Sequence, residues 1–296
     1  MKVYDCFMYY DEDTVVDIRL NCLDPYVDKF IIVESKFTHS GKKRNLLFDI
    51  KKFNHFKNKI SYLVLDHEPS GIGIVDDKDD EVLKSHDYIF NAIKRENYHR
   101  NYITKGIEEA DPEDIIMVSD ADEIPNFENL DLRKIKNKLI FFQQKMFYYK
   151  FNLYLNSFNW FGTKACKKKD LISPQWLRNI KDRAYSFWRI DTLFSKIKYQ
   201  DIYFVDNGGW HFSYIKNAEG IEKKLKSYLH HREFDIEPLG TEKIDKIIKE
   251  KKPIYDLKVD QRESKFNKGK KLTTIDLKLL PNYIQNNVEK FKLWLD

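Results

Sequence analysis

Apolar residues in the first half of the chain gather into short runs, and the stretches between them carry apolar residues at helical spacing. Val3 to Met8 reads as a strand, and Thr14 to Leu23 as an amphipathic helix with Val15, Ile18 and Leu20 inward. Phe30 to Val33 (FIIV) and Ile60 to Leu65 (ISYLVL) are apolar runs bounded by polar residues, as expected of buried parallel strands. A long helix is predicted from Tyr88 to Ala110. Asp111-Pro112 closes it, because proline disfavours helix in the residue before it. Asp114 to Ser119 (DIIMVS) supplies a third buried strand, whose end runs into Asp120-Ala121-Asp122-Glu123-Ile124-Pro125.

Strands alternating with helices predict a doubly wound α/β sheet with ligands at the carboxyl ends of its strands. Past residue 140 the pattern changes. Phe141 to Tyr154 (FFQQKMFYYKFNLY) reads as aromatic-rich strand, and Tyr203 to Val205 leads into Asn207-Gly208-Gly209-Trp210-His211. From Ala218 onward the chain reads as mostly helical, ending with Leu280 to Leu295. No internal repeat or low-complexity linker divides it. The expectation is one domain over 1–296, with parts at 1–125 and 126–214 and a helical extension at 215–296.

Composition narrows the choice of partner. The chain has 296 residues, 42% hydrophobic, enough to bury a sizeable core. Lys+Arg 52 against Asp+Glu 47 leaves a net charge of only +5 from two interspersed populations. That balance suits an anionic partner such as a nucleotide, nucleic acid or acidic membrane surface and does not mark a dedicated nucleic-acid binder. Cys6, Cys22 and Cys166 are scattered without metal-ligand spacing, which suits a reducing compartment. The N-terminus lacks the long apolar run of a signal peptide, and no apolar stretch of about 18 residues occurs elsewhere. A soluble, cytoplasmic protein is expected, without a transmembrane segment but compatible with peripheral membrane contact.

Three clusters carry candidate chemistry. Asp120, Asp122 and Glu123 follow a buried apolar strand, and acids are costly inside such a strand, so they belong at its mouth. Asp120 and Asp122 can reach one cation, and oxygen ligands suit Mg²⁺ or Mn²⁺, which keep positions open for phosphates. In the second cluster, Gly208-Gly209-Trp210-His211-Phe212-Ser213, paired glycines permit unusual dihedrals or close approach to a ligand. His211 there reads either as a ligand to the same cation or as a satisfied core histidine. The third cluster runs from Glu34-Ser35 to Lys42-Lys43-Arg44. The FIIV strand delivers Glu34 and Ser35 to the edge that holds Asp120, where a carboxylate can accept from a base or ribose. Lys42, Lys43 and Arg44 can then screen a diphosphate, or form an ordinary basic loop. Arg100 on the long helix is expected nearby.

SDADEIP, GGWHFS, and ESKFTHSG followed by Arg44 together resemble glycosyltransferase family seventeen, the bisecting-N-acetylglucosamine transferases and their microbial relatives. The resemblance starts at Glu12, with an acid-to-arginine spacing that ends at Arg19-Leu20. It continues to Glu219-Gly220-Ile221 and reappears at Leu280-Pro281-Asn282-Tyr283-Ile284. The stretch from about Leu153 to Tyr203 matches poorly, and acceptor specificity is expected there. The resemblance implies a GT-A-like (Rossmann-like) mixed sheet flanked by helices, an inverting mechanism, UDP-N-acetylglucosamine as donor and a divalent cation. Asp120 and Asp122 match the family's metal-binding acids, with Ala121 between them at the donor, and His211 matches a C-terminal metal-site histidine. Eukaryotic members carry a membrane anchor and act in the Golgi, whereas none is read in this chain.

On this reading a UDP-sugar meets a glycan acceptor whose hydroxyl is deprotonated by one carboxylate. Glu123 is slightly favoured as that base, with Asp206 the alternative and an anchoring role for Glu123 also open. Trp160, Trp188 and Trp210 are candidates for sugar stacking as well as for the core. Two rival classes are a metal-dependent phosphodiesterase or nucleotidyltransferase, which calls for a second ligand cluster, and a non-catalytic carbohydrate-binding protein, which leaves the acids unexplained.

Overall fold

A computed structural model describes residues 1–76, 78, 80–186, 188–229, 231–254 and 271–296. One mixed sheet organises them. Strand β1 (Val3–Tyr9) lies at the centre of a parallel group with β2 (Lys29–Ser35), β3 (Ile60–Leu65) and β4 (Ile115–Asp120). The sheet continues through β5 (Glu123–Pro125), β6 (Leu139–Tyr148), β7 (Leu153–Lys167), β8 (Ile202–Val205), β9 (Gly209–Ser213) and β10 (Thr273–Thr274). The main path is β3-β2-β1-β4-β7-β6-β9-β5, with β10 on β7 and β8 on β6. β7 runs antiparallel to β4 and β6, while β8 and β9 run parallel to β6. This is an α/β fold with a mixed sheet flanked by helices.

Side-chain alternation assigns the two faces. On β1 and β4, Val3, Phe7, Ile115 and Met117 enter one core, while Tyr4, Cys6, Ile116 and Val118 enter the other. The expected strands are therefore present, with one difference. β3 is the edge strand and most of it is only half-buried, because no further strand covers it.

The helices depart further from the sequence reading. α1 (Asp13–Leu23) buries Val15, Val16, Ile18, Leu20 and Leu23, close to expectation. α2 (Glu81–Asn101) starts earlier than predicted, where Asp80 caps the amides of Val82 and Leu83, and stops well before Ala110. It tightens into a 3₁₀ turn at Tyr102–Ile107. There Gly106 lies so close to β2 that a Cβ would stand 2.3 Å from Ile31 Cγ2, so tertiary contact shapes this stretch before Pro112 is reached. The single aromatic strand expected from Phe141 to Tyr154 is instead the corner of a hairpin, and Tyr149 turns it with φ of 65°.

In the second half, α3 (Pro174–Asn179) begins with proline under a Ser173 cap. α4 (Ala218–Leu225), α5 (His231–Ile236) and α6 (Thr241–Lys249) follow. The helix expected from Leu280 to Leu295 is two single turns, α7 (Asn282–Gln285) and α8 (Val288–Phe291), whose Ile284 and Phe291 are buried. Residues 255–270 of the predicted helical extension lie outside the described residues. Among the described residues no helix is long and apolar enough to cross a membrane.

One buried ion pair ties the sheet to the segment after β4. Asp5 and Arg19 are both fully buried. Arg19 donates to Asp5 through Nε at 2.7 Å and Nη2 at 2.5 Å, and its Nη2 also reaches Ser119 Oγ. Its Nη1 donates to the carbonyls of Asp120, Ala121 and Glu123, the last at 2.6 Å. Removing one partner of such a pair strands the other charge in the core. Arg19→Met is expected to destabilise the protein by about 3–5 kcal/mol, with Asp5→Leu/Arg19→Met less destabilised than the single variant. Urea unfolding of both variants checks this, and a double variant no more stable than Arg19→Met would refute it.

Candidate active site

Three parallel strands finish side by side, with Met8 opposite Asp120 and Tyr9 opposite Glu34 in the ladder. The segments leaving them wall a cavity of about 490 Å³. Its other walls come from α2, α3, β9 and α4, through Arg100, Arg178, His211 and Lys224.

Asp120 faces away from Asp5 and Ser119 because strand side chains alternate. Its Oδ1 accepts from Arg100 Nη2 and its Oδ2 from Arg178 Nη2, each at 3.0 Å. Arg100 also binds Glu96, one helical turn back, at 2.8 Å. Arg178 grips Glu123 with both arms, Nη1 to Oε2 at 2.8 Å and Nη2 to Oε1 at 3.0 Å. Charge therefore alternates along Glu96, Arg100, Asp120, Arg178 and Glu123. Burial would raise the Asp120 carboxyl, but Arg178 and Arg100 outweigh it and hold the group below the usual carboxylate range. Glu123 is saturated, since it also accepts from the Asp120 amide at 2.8 Å and from Trp160 Nε1 at 2.6 Å.

Asp122 belongs to a second, separate group. Its Oδ1 lies 3.5 Å from His211 Nε2, and its Oδ2 accepts from Lys224 Nζ at 3.3 Å. Burial would raise Asp122 too, yet Lys224 and then His211 drive it far below the ordinary range. Burial depresses the His211 imidazole, and attraction to Asp122 reverses that, leaving it raised. His211 Nδ1 is buried without a hydrogen-bond partner among the described residues. β9 brings His211 here by pairing it with Glu123 on β5. Gly209 adopts φ of 130°, and a Cβ there would sit 2.1 Å from the Ile124 carbonyl, so the glycine expected to matter does.

Of the residues singled out from sequence, Arg44, Arg100, Asp120, Ala121, Asp122 and His211 line the cavity. The others do not. Glu34 is fully buried beneath the rim, where it accepts from Arg44, Tyr62 and the amides of Leu47 and Phe48. Ser35 accepts from the Phe37 amide, and Lys42 and Lys43 are exposed on the loop beyond. Glu123 lies under the cavity floor and Asp206 in an exposed turn away from it. Among the described residues no three His, Cys, Asp or Glu side chains converge on one metal-sized point, so Asp122 and His211 meet while Asp120 stays with the arginines. Trp160 lines the cavity with its ring 5.3 Å from that of His211. Trp188 is exposed, and Trp210 donates to the Leu279 carbonyl.

Sequence reasoning missed Arg178, Lys224, Glu96 and His99. Glu96 and Arg100 are four apart on a helix, a spacing that signals an ion pair. Arg178 offered no such signal, because its partners are 55 and 58 positions away. His99 donates from Nε2 to the Val33 carbonyl and meets His39 at 3.4 Å through Nδ1. Burial lowers His99 to about 3 and lowers His39 as well, so both stay neutral near pH 7.

Comparison with known proteins bears on the sequence of the whole chain. The model of Glycosyltransferase family 17 matches residues 1–296. Among curated proteins, the chain is 30% identical over 118 residues to the beta-1,4-mannosyl-glycoprotein 4-beta-N-acetylglucosaminyltransferase of Homo sapiens. It matches the enzymes of that name from Rattus norvegicus at 30% and Mus musculus at 29%. Each match covers 38% of this chain and 20% of the relative, so the chain spans about a fifth of the length of the curated relatives it matches.

Behind the arginines lies a buried lysine. Lys164 on β7 donates to the carbonyls of Arg178 at 2.8 Å and Ile180 at 2.6 Å, fixing the end of α3 that carries Arg178. Burial first, then repulsion from Arg178, lowers its amine to about 7. The unfolded chain keeps that proton to about pH 10.4, so between the two values the unfolded state binds more protons and stability rises with pH. Lys164→Met removes this titration. Wild-type stability minus that of the variant is expected to climb between pH 7 and 9, by at most about 1.4 kcal/mol per pH unit. Parallel curves in denaturant titrations at several pH values would refute it.

Proposed function

The chain belongs to glycosyltransferase family 17, and on that premise we propose that it transfers N-acetylglucosamine from UDP-N-acetylglucosamine to a hydroxyl of a glycan acceptor, with inversion, on a GT-A-type sheet. The observation that carries this reading is the cavity at the carboxyl ends of β1, β2 and β4. It sets Asp122 and His211 beside Arg44, Arg100, Arg178 and Lys224. These cations share the walls with Glu12, Glu96, Asp120 and Asp122, so the net positive charge that a nucleoside diphosphate calls for would come with a bound divalent cation.

A divalent cation is part of the proposal, and the donor set fits one. Two ligands of an octahedral ion with bonds of about 2.1 Å lie about 3 Å apart, close to the 3.5 Å between Asp122 Oδ1 and His211 Nε2. One carboxylate and one imidazole favour Mn²⁺ over Mg²⁺ and leave positions for phosphate oxygens. Bound there, the ion would supply Lewis-acid neutralisation of the departing UDP. Asp120, with both oxygens held, instead aims Arg100 and Arg178 at the donor. Glu123, saturated and outside the cavity, anchors Arg178. Trp160 offers a ring for sugar stacking beside His211.

UDP release from UDP-N-acetylglucosamine, measured with EDTA and after adding Mn²⁺, tests this reading together with calorimetric UDP affinity. Release that needs Mn²⁺ and a glycan acceptor is expected. Asp122→Asn and His211→Ala should each lower turnover by about 10²-fold or more and weaken Mn²⁺-dependent UDP binding. Metal-independent UDP affinity in both variants and wild type would overturn the metal site. Phosphodiester cleavage without sugar transfer would overturn the transferase reading.

A further inference from the structure

The loop between α3 and β8 is built inside out. Gln200 Nε2 donates to the carbonyls of Ser186 at 3.1 Å and Arg189 at 3.3 Å and to Thr192 Oγ1 at 2.8 Å, and Thr192 is buried. Asp191 accepts from Arg189 at 2.6 and 2.8 Å and from Lys198 at 2.9 Å. Polar groups thus hold the loop's interior together. Four of its large apolar side chains turn outward, with Trp188 67%, Ile190 68%, Leu193 77% and Phe194 86% exposed. Singly exposed apolar residues are ordinary, but four within seven positions form a surface that a contact would cover.

The charges around them identify the contact. Lys181, Arg183, Arg189, Lys196 and Lys198 face only two acids in this stretch, Asp182 and Asp191, and the latter is already paired. Aliphatic and aromatic side chains ringed by lysine and arginine match an anionic lipid surface, with acyl chains for the former and phosphates for the latter. We propose that this loop docks the protein on a bilayer, with Ile190, Leu193, Phe194 and Trp188 entering the interfacial layer and the basic residues meeting anionic phospholipid headgroups. Docking does not depend on the transfer reaction. It does bear on it, because α3 supplies Gln175 and Arg178 to the cavity wall and is tied to the loop by Trp176 Nε1 at 2.8 Å from the Lys196 carbonyl. The membrane surface and the cavity thus share one short helix.

Co-sedimentation tests this with vesicles of phosphatidylcholine alone and of phosphatidylcholine mixed equally with phosphatidylglycerol. Wild type is expected to pellet with the mixed vesicles, less with phosphatidylcholine, and less at raised salt. Leu193→Ser/Phe194→Ser should lose about tenfold or more in partitioning, with an unchanged melting temperature because both side chains are exposed. Lys181→Glu/Lys196→Glu should lose binding to the mixed vesicles alone. The proposal falls if wild type pellets no more than without vesicles, or if the apolar variant partitions equally. It falls too if light scattering shows a dimer that the apolar variant dissolves while wild type ignores vesicles, which would make the loop a protein interface.

Discussion

The guanidinium of Arg19 is the constraint on which the rest of the site depends. A fully buried charge is tolerated only when paired and hydrogen-bonded throughout, and Arg19 meets that condition by joining three parts of the chain. Asp5 supplies its counter-charge from the central strand, Ser119 an acceptor from β4, and Asp120, Ala121 and Glu123 three backbone carbonyls. The segment that turns Asp120 and Asp122 toward the cavity is therefore held from behind by the same group that bonds α1 to the sheet. With its backbone fixed there, the acids in front can be aimed by their own partners.

Those partners separate the acids by role. Asp120 and Glu123 are locked into a chain of alternating charge with Arg100 and Arg178, which holds the Asp120 carboxyl below the usual range and keeps the arginines oriented. Asp122 shares its oxygens with Lys224 and His211 at longer range, 3.3 and 3.5 Å, apart from the arginine network. Adjacent positions in one acidic triplet thus face different surroundings, set by strand alternation for Asp120 and by the β5–β9 pairing for the approach of His211.

The wall facing the parallel strands is built from less regular structure. α3 is six residues long, begins on a serine cap and a proline, and is fixed at its far end by Lys164. It presents Arg178 to the cavity on one side and supports the inside-out loop on the other. One short helix therefore touches both the cavity and the loop.

The sequence by itself determined the parallel strands, α1 and the placement of the acids at the mouth of β4, because each is written in neighbouring residues. An uninterrupted apolar run can be satisfied only in a covered strand, and the acids that follow it cannot remain inside. It also determined that GGWHFS would meet the acids only in the sense of resemblance, since no local pattern pairs Glu123 with His211. Tertiary structure alone decided that pairing, the selection of Arg178 and Lys224, the burial of Glu34 and Glu123 beneath the cavity, and the exile of Asp206 to an exposed turn. It also decided where α2 ends, through the close packing of Gly106 on Ile31, and how the aromatic run at β6 and β7 folds back on itself. The physical reason is the same in each case. A strand or helix is fixed by the periodicity of adjacent residues, whereas the partner of a buried charge is fixed by which distant segment the folded sheet brings within hydrogen-bonding reach.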